Sequence, residues 1–150
     1  MPKRRITDTL EMEAIIGKAV YCHIGLVDSG EPYVVPVFFG YEKNAIYFHS
    51  SPDGRKVDIM RKGNRVCFQV EADVEIVRAE KACDFTTKYR SVMGTGKATI
   101  LESDADKVHG LDIIMRHYAR GEFTYPKATL DRTLVVRIDI DSMAGKALNY

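Results

Sequence analysis

The most constraining feature of this sequence is a series of short runs of β-branched and aromatic residues separated by turn residues. Three of these runs, AVYCHIGLV, YVVPVFFGY and AIYFHS, follow one another with only DSGEP and EKN between them. Such runs favour strands, and connections this short join antiparallel neighbours, because a parallel pair needs a long crossover. The sequence therefore predicts an antiparallel β-meander and excludes a sheet built from strand–helix–strand units.

The same residue preferences predict three further strands downstream, in RVCFQVEADVEIV, SVMGTGKATILE and LVVRIDID. In the middle one, Gly94 and Gly96 indicate a bulge or the close approach of another group, because glycine has no side chain to pack there. The last one alternates apolar with charged residues, which is typical of a half-buried strand. Six strands are therefore predicted in all.

Helices are predicted around this sheet, where capping residues precede helical spacing of apolar side chains. Asp8 and Glu11 have the spacing of a capping box, and Ser103 has the same spacing to Asp106. RKVDIMRKG predicts a short helix that begins at Arg55, while GEFTYPKATLD predicts a loop. We therefore expect a single domain over residues 1–150, mostly β with peripheral helices, whose six antiparallel strands close toward a barrel.

The predicted strand over residues 33–41 is apolar on both faces, whereas a strand with one solvated face alternates apolar with polar residues. Its two faces carry Tyr33, Val35, Val37, Phe39 and Tyr41 on one side, and Val34, Pro36, Phe38 and Gly40 on the other. A second copy of the chain is the simplest cover for the outer face, because two-fold dimers are the commonest oligomers. Pro36 lacks a backbone N–H, so we expect it at a sheet edge or a bulge, where backbone groups can face a ligand.

Charge and cysteine content exclude several classes of partner. The 22 basic and 21 acidic residues leave a formal net charge of +1. The chain therefore lacks the excess of basic residues that non-specific binding of nucleic acid requires. The three cysteines have no CxxC spacing, so we expect neither a disulfide framework nor a metal site. No apolar run reaches the ~20 residues of a membrane span and no signal peptide is evident, so we expect a cytoplasmic protein.

The segment HSSPDGRK brings anion-binding groups together at the start of the predicted second helix. Ser50 and Ser51 supply hydroxyl groups, the turn at Gly54 exposes backbone N–H groups, and Arg55 with Lys56 supplies positive charge. Cations in the first turn of a helix are mildly unfavourable, because the unpaired N–H groups there already carry partial positive charge. An anion such as a phosphate monoester would remove this conflict. A polar turn followed by solvated basic residues explains the same pattern, and spacing alone leaves both interpretations open.

Two further sets of residues carry polar groups suited to a site. Arg90 and Ser91 begin a predicted strand, where they either add a cation and a hydroxyl group to the same anion or form a surface pair. His49 shares a strand face with Tyr47, and an imidazole with an unperturbed pKa near ~6.5 can give or take a proton at cellular pH. A hydrogen-bonded histidine without a catalytic role fits the same position.

Three segments in this order resemble the flavin-binding split-barrel proteins related to pyridoxamine 5'-phosphate oxidase: PYVVPVFFGYEKNAIYFHSSPDGRK, FTTKYRSVMGTGKATIL and the closing MAGK. The resemblance is strongest to the branch that contains the Nim-type 5-nitroimidazole-resistance proteins, and it runs from about Thr7 to Lys146. It implies a six-stranded antiparallel split β-barrel that forms a homodimer, with two molecules of flavin mononucleotide (FMN) in clefts between the subunits.

The resemblance also assigns roles to individual residues. It implies that two cations grip the flavin phosphate with help from a serine hydroxyl, and that the strand around Pro36 faces the flavin ring through its backbone. His49 matches the histidine that Nim-type proteins place near the flavin and the substrate, which makes it the candidate catalytic residue. The cofactor-binding residues implied in this way are Val35, Pro36, Val37, His49, Ser50, Ser51, Gly54, Arg55, Lys56, Arg90 and Ser91.

The function implied by the resemblance is that of an FMN-dependent oxidoreductase, which passes electrons from the reduced flavin to a small planar acceptor such as a nitroimidazole or another nitroaromatic compound. Oxidation of pyridoxamine phosphate is disfavoured, because it needs a second basic set, usually near the C-terminus, where this chain has only Lys146. The alternatives are a flavin- or haem-binding protein without turnover, and a reductase that uses a deazaflavin, whose longer anionic tail would require more basic residues.

Overall fold

The computed structural model describes residues 2–150, which form an antiparallel sheet with helices around it. The strands are β1 (Lys3–Ile6), β2 (Cys22–Asp28), β3 (Glu31–Val37), β4 (Phe39–Glu42), β5 (Ala45–Ser50), β6 (Arg65–Val77), β7 (Thr86–Leu101) and β8 (Leu134–Leu148). The helices are α1 (Thr9–Lys18), α2 (Arg55–Lys62), α3 (Asp104–Tyr118) and α4 (Lys127–Asp131). Within these residues, no helix combines the length and the apolar character that crossing a membrane requires.

The strand order shows how the sheet closes. Hydrogen-bonded neighbours run β3-β2-β6-β7-β8-β5-β4, and β1 adds to the C-terminal part of β8. The two end strands, β3 and β4, are separated along the chain by Phe38 alone. Because consecutive Cα atoms lie only ~3.8 Å apart, the two ends of the sheet must meet at this residue. The sheet is therefore curled into a barrel that is split between β3 and β4, which confirms the predicted fold class.

Residues 2–150 form eight strands where the sequence predicts six. The predicted strand over residues 33–41 is two strands, because the backbone leaves the ladder at Phe38. β1 is absent from the prediction, since its sequence KRRI contains no apolar run. The prediction of a loop over residues 121–131 is wrong in its second half, where α4 forms and buries Leu130.

Both predicted helix caps are confirmed. Asp8 Oδ2 accepts a hydrogen bond from the Glu11 backbone N–H at 2.8 Å, and Ser103 Oγ accepts one from the Asp106 backbone N–H at 3.1 Å. The Glu11 carboxylate binds the Arg4 guanidinium at 2.7 and 3.1 Å, so it ties α1 to β1. The first helix is thus fixed both by its own cap and by the strand that precedes it.

Side chains along β5 alternate between two apolar clusters. Ile46 and Phe48 are at most 1% exposed and belong to the barrel core, which also holds Phe68. Tyr47 points the other way, into a second cluster beneath α3. Because successive side chains in a strand lie on opposite faces, His49 lies on the Tyr47 side of the sheet and away from the barrel core, as predicted.

We expect the substitution Gly94→Ala to destabilise the barrel, whereas Gly17→Ala should not. A Cβ atom on Gly94 would lie 2.3 Å from the Ser142 carbonyl oxygen and 2.7 Å from Cε1 of Phe68, so strands β7 and β8 would have to separate. Overpacking of this kind costs about 1–3 kcal/mol of unfolding free energy. Gly17 lies in α1 with no atom within 4 Å of its Cβ position, so alanine there should stabilise the helix by about 0.5–1 kcal/mol. Urea unfolding of both variants tests this, and equal midpoints would contradict it.

Candidate functional site

The loop between β5 and α2 presents the predicted anion-binding groups to solvent. Ser50 Oγ donates to the Ser51 carbonyl oxygen at 2.8 Å, and Ser51 Oγ donates to the Asp53 carbonyl oxygen at 2.9 Å, so both hydroxyl groups brace the loop. Gly54 has a φ of +128°, a conformation that residues with a side chain rarely adopt, and no atom lies within 4 Å of its Cβ position. The turn therefore depends on glycine and leaves open space in front of α2.

The N-terminus of α2 has no side-chain cap. Gly54 occupies the capping position, and no side chain in the described part of the chain caps the helix by a hydrogen bond. The first intrahelical bond there runs from the Asp58 N–H to the Gly54 carbonyl oxygen at 3.2 Å. The N–H groups of the preceding residues in the first turn thus have no partner within the helix, which is the arrangement that binds anions at helix N-termini.

Arg55 reaches from α2 to the β2–β3 hairpin. The carbon at the centre of its guanidinium group lies 4.5 Å from the centre of the Tyr33 ring, and its Nε atom lies 3.9 Å from Asp28 Oδ2. Stacking on the ring orients the guanidinium group, while the long distance to Asp28 leaves most of its five N–H groups for another acceptor. Lys56 is half-buried, and no carboxylate among residues 2–150 lies within ion-pair distance of it.

The strand β3 is an end strand of the sheet and has one free edge. Among residues 2–150 it pairs only with β2, with Val35, Pro36 and Val37 opposite Ile24, His23 and Cys22. The prediction that Pro36 lies at a sheet edge is therefore confirmed. Main-chain groups along the other edge have no strand partner, so they are available to a ligand.

His49 lies close to this free edge. β3 ends at Val37, two residues before Phe39, and Phe39 pairs with Phe48 on β5. Because β4 and β5 are antiparallel, the end of β3 runs toward the residues that follow Phe48, which are His49 and Ser50. The imidazole is exposed, but neighbouring protein atoms remove part of its water and lower the pKa of His49 below its ordinary value of 6.5. The ring is therefore mostly neutral at pH 7.

Arg90 and Ser91 do not join the other predicted site residues within one chain. Ser50 pairs with Leu134 at the start of β8, whereas Arg90 pairs with Ala147 near the end of that strand. These two positions on β8 lie roughly 40 Å apart along the strand, at ~3.3 Å per residue. Arg90 instead donates to Asp73 Oδ2 at 2.7 Å and stacks 3.9 Å from the centre of the Tyr150 ring.

A cavity of about 670 Å³ lies near Arg90, where β1, β7 and β8 meet. Polar and apolar groups such as Ser91, Gln69 and Met93 line it together with four basic residues, Lys3, Arg4, Arg5 and Lys146. Sequence reasoning missed this cavity because it missed β1. The only signal in the sequence is the alternation in KRRI, which places Lys3 and Arg5 on one strand face.

The residues of the β5–α2 loop fit a flavin phosphate. They combine an uncapped helix N-terminus, a glycine turn with open space before it, and two cations of which neither has a close carboxylate partner among the described residues. These are the groups that bind phosphate monoesters in proteins. A split antiparallel barrel with this loop beside a free strand edge defines the class of flavin-binding split-barrel proteins.

Comparison with known proteins agrees with this class. The sequence profile described as pyridoxamine 5'-phosphate oxidase matches residues 8–147, so the chain belongs to that family, which binds flavins. No curated relative shows significant similarity to the chain.

Solved structures with the same fold cover nearly the whole chain. A candidate 5-nitroimidazole antibiotic resistance protein from Bacteroides thetaiotaomicron is similar at 35% identity over 98% of this chain and 89% of its own, with a TM-score of 0.86. The flavocytochrome Anf3 from Azotobacter vinelandii is similar at 25% identity over 97% of this chain and 70% of its own, with a TM-score of 0.83. An FAD and haem binding protein from Mycobacterium smegmatis, at 20% identity over 97% of this chain and 74% of its own, shares the fold with a TM-score of 0.85.

Proposed function

We propose that this chain is an FMN-dependent oxidoreductase that reduces small planar acceptors, nitroimidazoles or other nitroaromatic compounds, and that it works as a homodimer in the cytoplasm. The observation that carries the proposal is the uncapped N-terminus of α2, which presents Arg55 and Lys56 beside the free edge of β3. Similarity at 35% identity to a candidate 5-nitroimidazole resistance protein supports the choice of acceptor.

The phosphate end of FMN is assigned to the β5–α2 loop. Arg55 and Lys56 supply charge, and Gly54 with the first turn of α2 supplies N–H groups. Ser50 and Ser51 can turn their hydroxyl groups from the loop carbonyls to a phosphate oxygen, since both side chains lie at the loop surface. The free edge of β3 at Val35, Pro36 and Val37 is then the part of the chain available to the polar edge of the flavin ring.

A second copy of the chain is proposed to complete the site. Val27 and Val34 are each 63% exposed on the outer face of the sheet, which is a large exposure for apolar strand residues. Covering this face with a two-fold partner would bury them. It would also allow Arg90 and Ser91 of the partner to approach the loop from which they are distant within one chain.

Reduced flavin, when bound, supplies two electrons, and a nitro group that accepts them with two protons becomes a nitroso group and water. The residues of this chain bind the flavin, orient the acceptor and provide a proton. His49 immediately precedes Ser50, and it is the titratable residue of β5 that is nearest in sequence to the proposed phosphate loop. We assign it to proton transfer to the acceptor.

Stopped-flow mixing tests the reaction itself. Protein loaded with FMN and reduced anaerobically with one equivalent of dithionite is mixed with a 5-nitroimidazole, and flavin absorbance is followed. We expect the flavin to be reoxidised faster on the protein than free in solution, with one nitroso product formed for each flavin. Reoxidation at the rate of free FMN would exclude the proposed enzyme.

We expect His49→Gln to retain FMN and to slow nitro reduction by about 10²–10⁴-fold, the range of general acid catalysis. A donor with a lowered pKa is protonated only in more acidic solution, so the wild-type rate should rise as the pH falls toward and below ~6.5. The variant should lack this rise, because glutamine does not titrate. The measurement is the reoxidation rate from pH 5 to 8 for both proteins. Equal rates and parallel pH profiles would remove His49 from the mechanism.

A second candidate is a flavin- or haem-binding protein without turnover. Structural similarity to the flavocytochrome Anf3 favours it. Titration of the chain with haemin distinguishes the two, because haem bound through a protein ligand gives a sharp and shifted Soret band. A saturable Soret shift together with no flavin retention would favour this candidate over the oxidoreductase.

A further inference from the structure

We propose that Lys3, Arg5 and Lys146 form an anion-binding site that recognises a carboxylate or phosphate group on a planar aromatic acceptor. The site lies in the cavity of about 670 Å³ between β1, β7 and β8. The identification of its ligand as the acceptor rests on the proposed function, whereas the anion site itself does not.

Strand pairing places like charges directly opposite each other in this cavity. β1 pairs antiparallel with β8, and Arg5 lies opposite Lys146. Such a pair is unfavourable unless an anion lies between the two cations. Among residues 2–150, no carboxylate lies within ion-pair distance of Lys3, Arg5 or Lys146. The cavity therefore holds uncompensated positive charge.

The lack of a carboxylate partner applies to three of the four basic residues that line the cavity. Arg4, which lies between Lys3 and Arg5 in the chain, binds the Glu11 carboxylate through two hydrogen bonds. Arg90, which precedes Ser91, binds Asp73. Arg4 lines the cavity and Arg90 lies beside it, and each of these arginines has a carboxylate partner, whereas the three proposed ligands have none among the described residues.

The rest of the cavity suits the body of an aromatic molecule. Ser91 lies opposite Lys146, and Met93 lies opposite both Gln69 and Ala144, so polar and apolar groups form adjacent rows across β6, β7 and β8. The Lys146 ammonium group lies 5.3 Å from the centre of the Tyr89 ring, which holds it at the cavity wall. A volume of about 670 Å³ is within the range of small-molecule pockets.

The site would supply positive charge for an anionic substrate. The sequence shows only one basic residue near the C-terminus, Lys146, which disfavours a substrate with its own phosphate group. β1 adds Lys3 and Arg5 to that residue, so the second basic set is supplied by the N-terminal strand. Ser91, which the family resemblance places beside the cofactor, lines the same cavity. An anionic acceptor held here would therefore lie next to the residue assigned to the flavin.

Calorimetric titration of the FMN-saturated protein with matched ligands tests the proposal. The probes are 4-nitrobenzoate, 4-nitrophenyl phosphate and the neutral 4-nitrobenzamide, and the variant is Arg5→Gln with Lys146→Gln. We expect the double variant to bind both anions at least about tenfold more weakly, because each hydrogen bond to a charged group contributes on this scale, and to bind the amide unchanged. The relative affinities of the two anions identify carboxylate or phosphate as the better ligand. Lys97→Gln is the control, since Lys97 is exposed on β7 and does not line the cavity.

The possible outcomes separate this proposal from the proposed function. If the double variant binds all three probes like the wild type, or if the wild type binds none, the anion site is excluded. Loss of FMN from the double variant, measured by absorbance after desalting, would assign the cations to the cofactor and also overturn the proposal. If the wild-type protein retains no FMN but its anion binding still falls in the variant, the anion site stands and the oxidoreductase proposal fails.

Discussion

Replacing Arg55 and Lys56 together with alanine is expected to abolish FMN retention, raising the dissociation constant by at least about a hundredfold. Hydrogen bonds to charged groups contribute about 1.5–3 kcal/mol each, and every ~1.4 kcal/mol changes an equilibrium constant tenfold. Two such groups act on one phosphate in the proposed site. Absorbance spectra of protein mixed with FMN and then desalted provide the measurement, with fluorescence titration for the dissociation constants.

The matched control for this experiment lies in the same helix. Arg61 and Lys62 are exposed in the last turn of α2, so Arg61→Ala with Lys62→Ala removes the same charge without touching the N-terminus. Arg55 is half-exposed, and among the described residues it makes only a ring contact and a long ion pair, so both double variants should unfold at similar urea concentrations. The first pair should lose FMN and the second should keep it. Equal retention by both variants would show that the β5–α2 loop is not the phosphate site.

The part of the fold that the sequence predicts is the part encoded by local pattern. Strands β2 and β5–β8 contain runs of β-branched and aromatic residues, and the caps of α1 and α3 depend on residues three positions apart, so each is visible without tertiary context. β1 is held by pairing with the distant C-terminal part of β8, and its own four residues show no apolar run. The break between β3 and β4 at Phe38 likewise cannot be predicted from the sequence, because it results from the curl of the sheet and not from the conformational preference of phenylalanine.

The candidate site likewise has one part that local sequence pattern predicts and another part that depends on tertiary structure. The loop from Ser50 to Lys56 is one continuous segment, so its donors could be identified together from the sequence. The stacking of Arg55 on Tyr33 joins residues more than twenty positions apart, and nothing in the spacing indicates it. The separation of Arg90 from the loop depends on the register of β7 and β5 against β8, which local pattern does not specify. The sequence thus predicts which groups are available, while the strand pairing determines which of them meet.

Val34→Asp is expected to convert the proposed dimer into a monomer and, with it, to abolish FMN retention. Val34 is 63% exposed on the outer face of β3, opposite Gly25 of β2, and a two-fold partner on this face would bury it. An unpaired carboxylate buried there loses its hydration without compensation, so the dimer dissociation constant should rise by at least about a hundredfold. Sedimentation equilibrium and absorbance after desalting measure the two effects on the same sample.

Leu10→Asp separates an interface effect from the general effect of adding a charge. Leu10 is 76% exposed in the first turn of α1, outside the sheet face, and an acidic residue is favourable at that end of a helix. This variant should remain dimeric and keep FMN. If Val34→Asp stays dimeric, the outer face of β3 is not the interface. If it becomes monomeric but keeps FMN with wild-type affinity, one chain suffices for the cofactor, and Arg90 and Ser91 of a partner have no part in binding it. Loss of both properties together is the result that the shared site requires, because the β5–α2 loop alone holds only one end of the flavin.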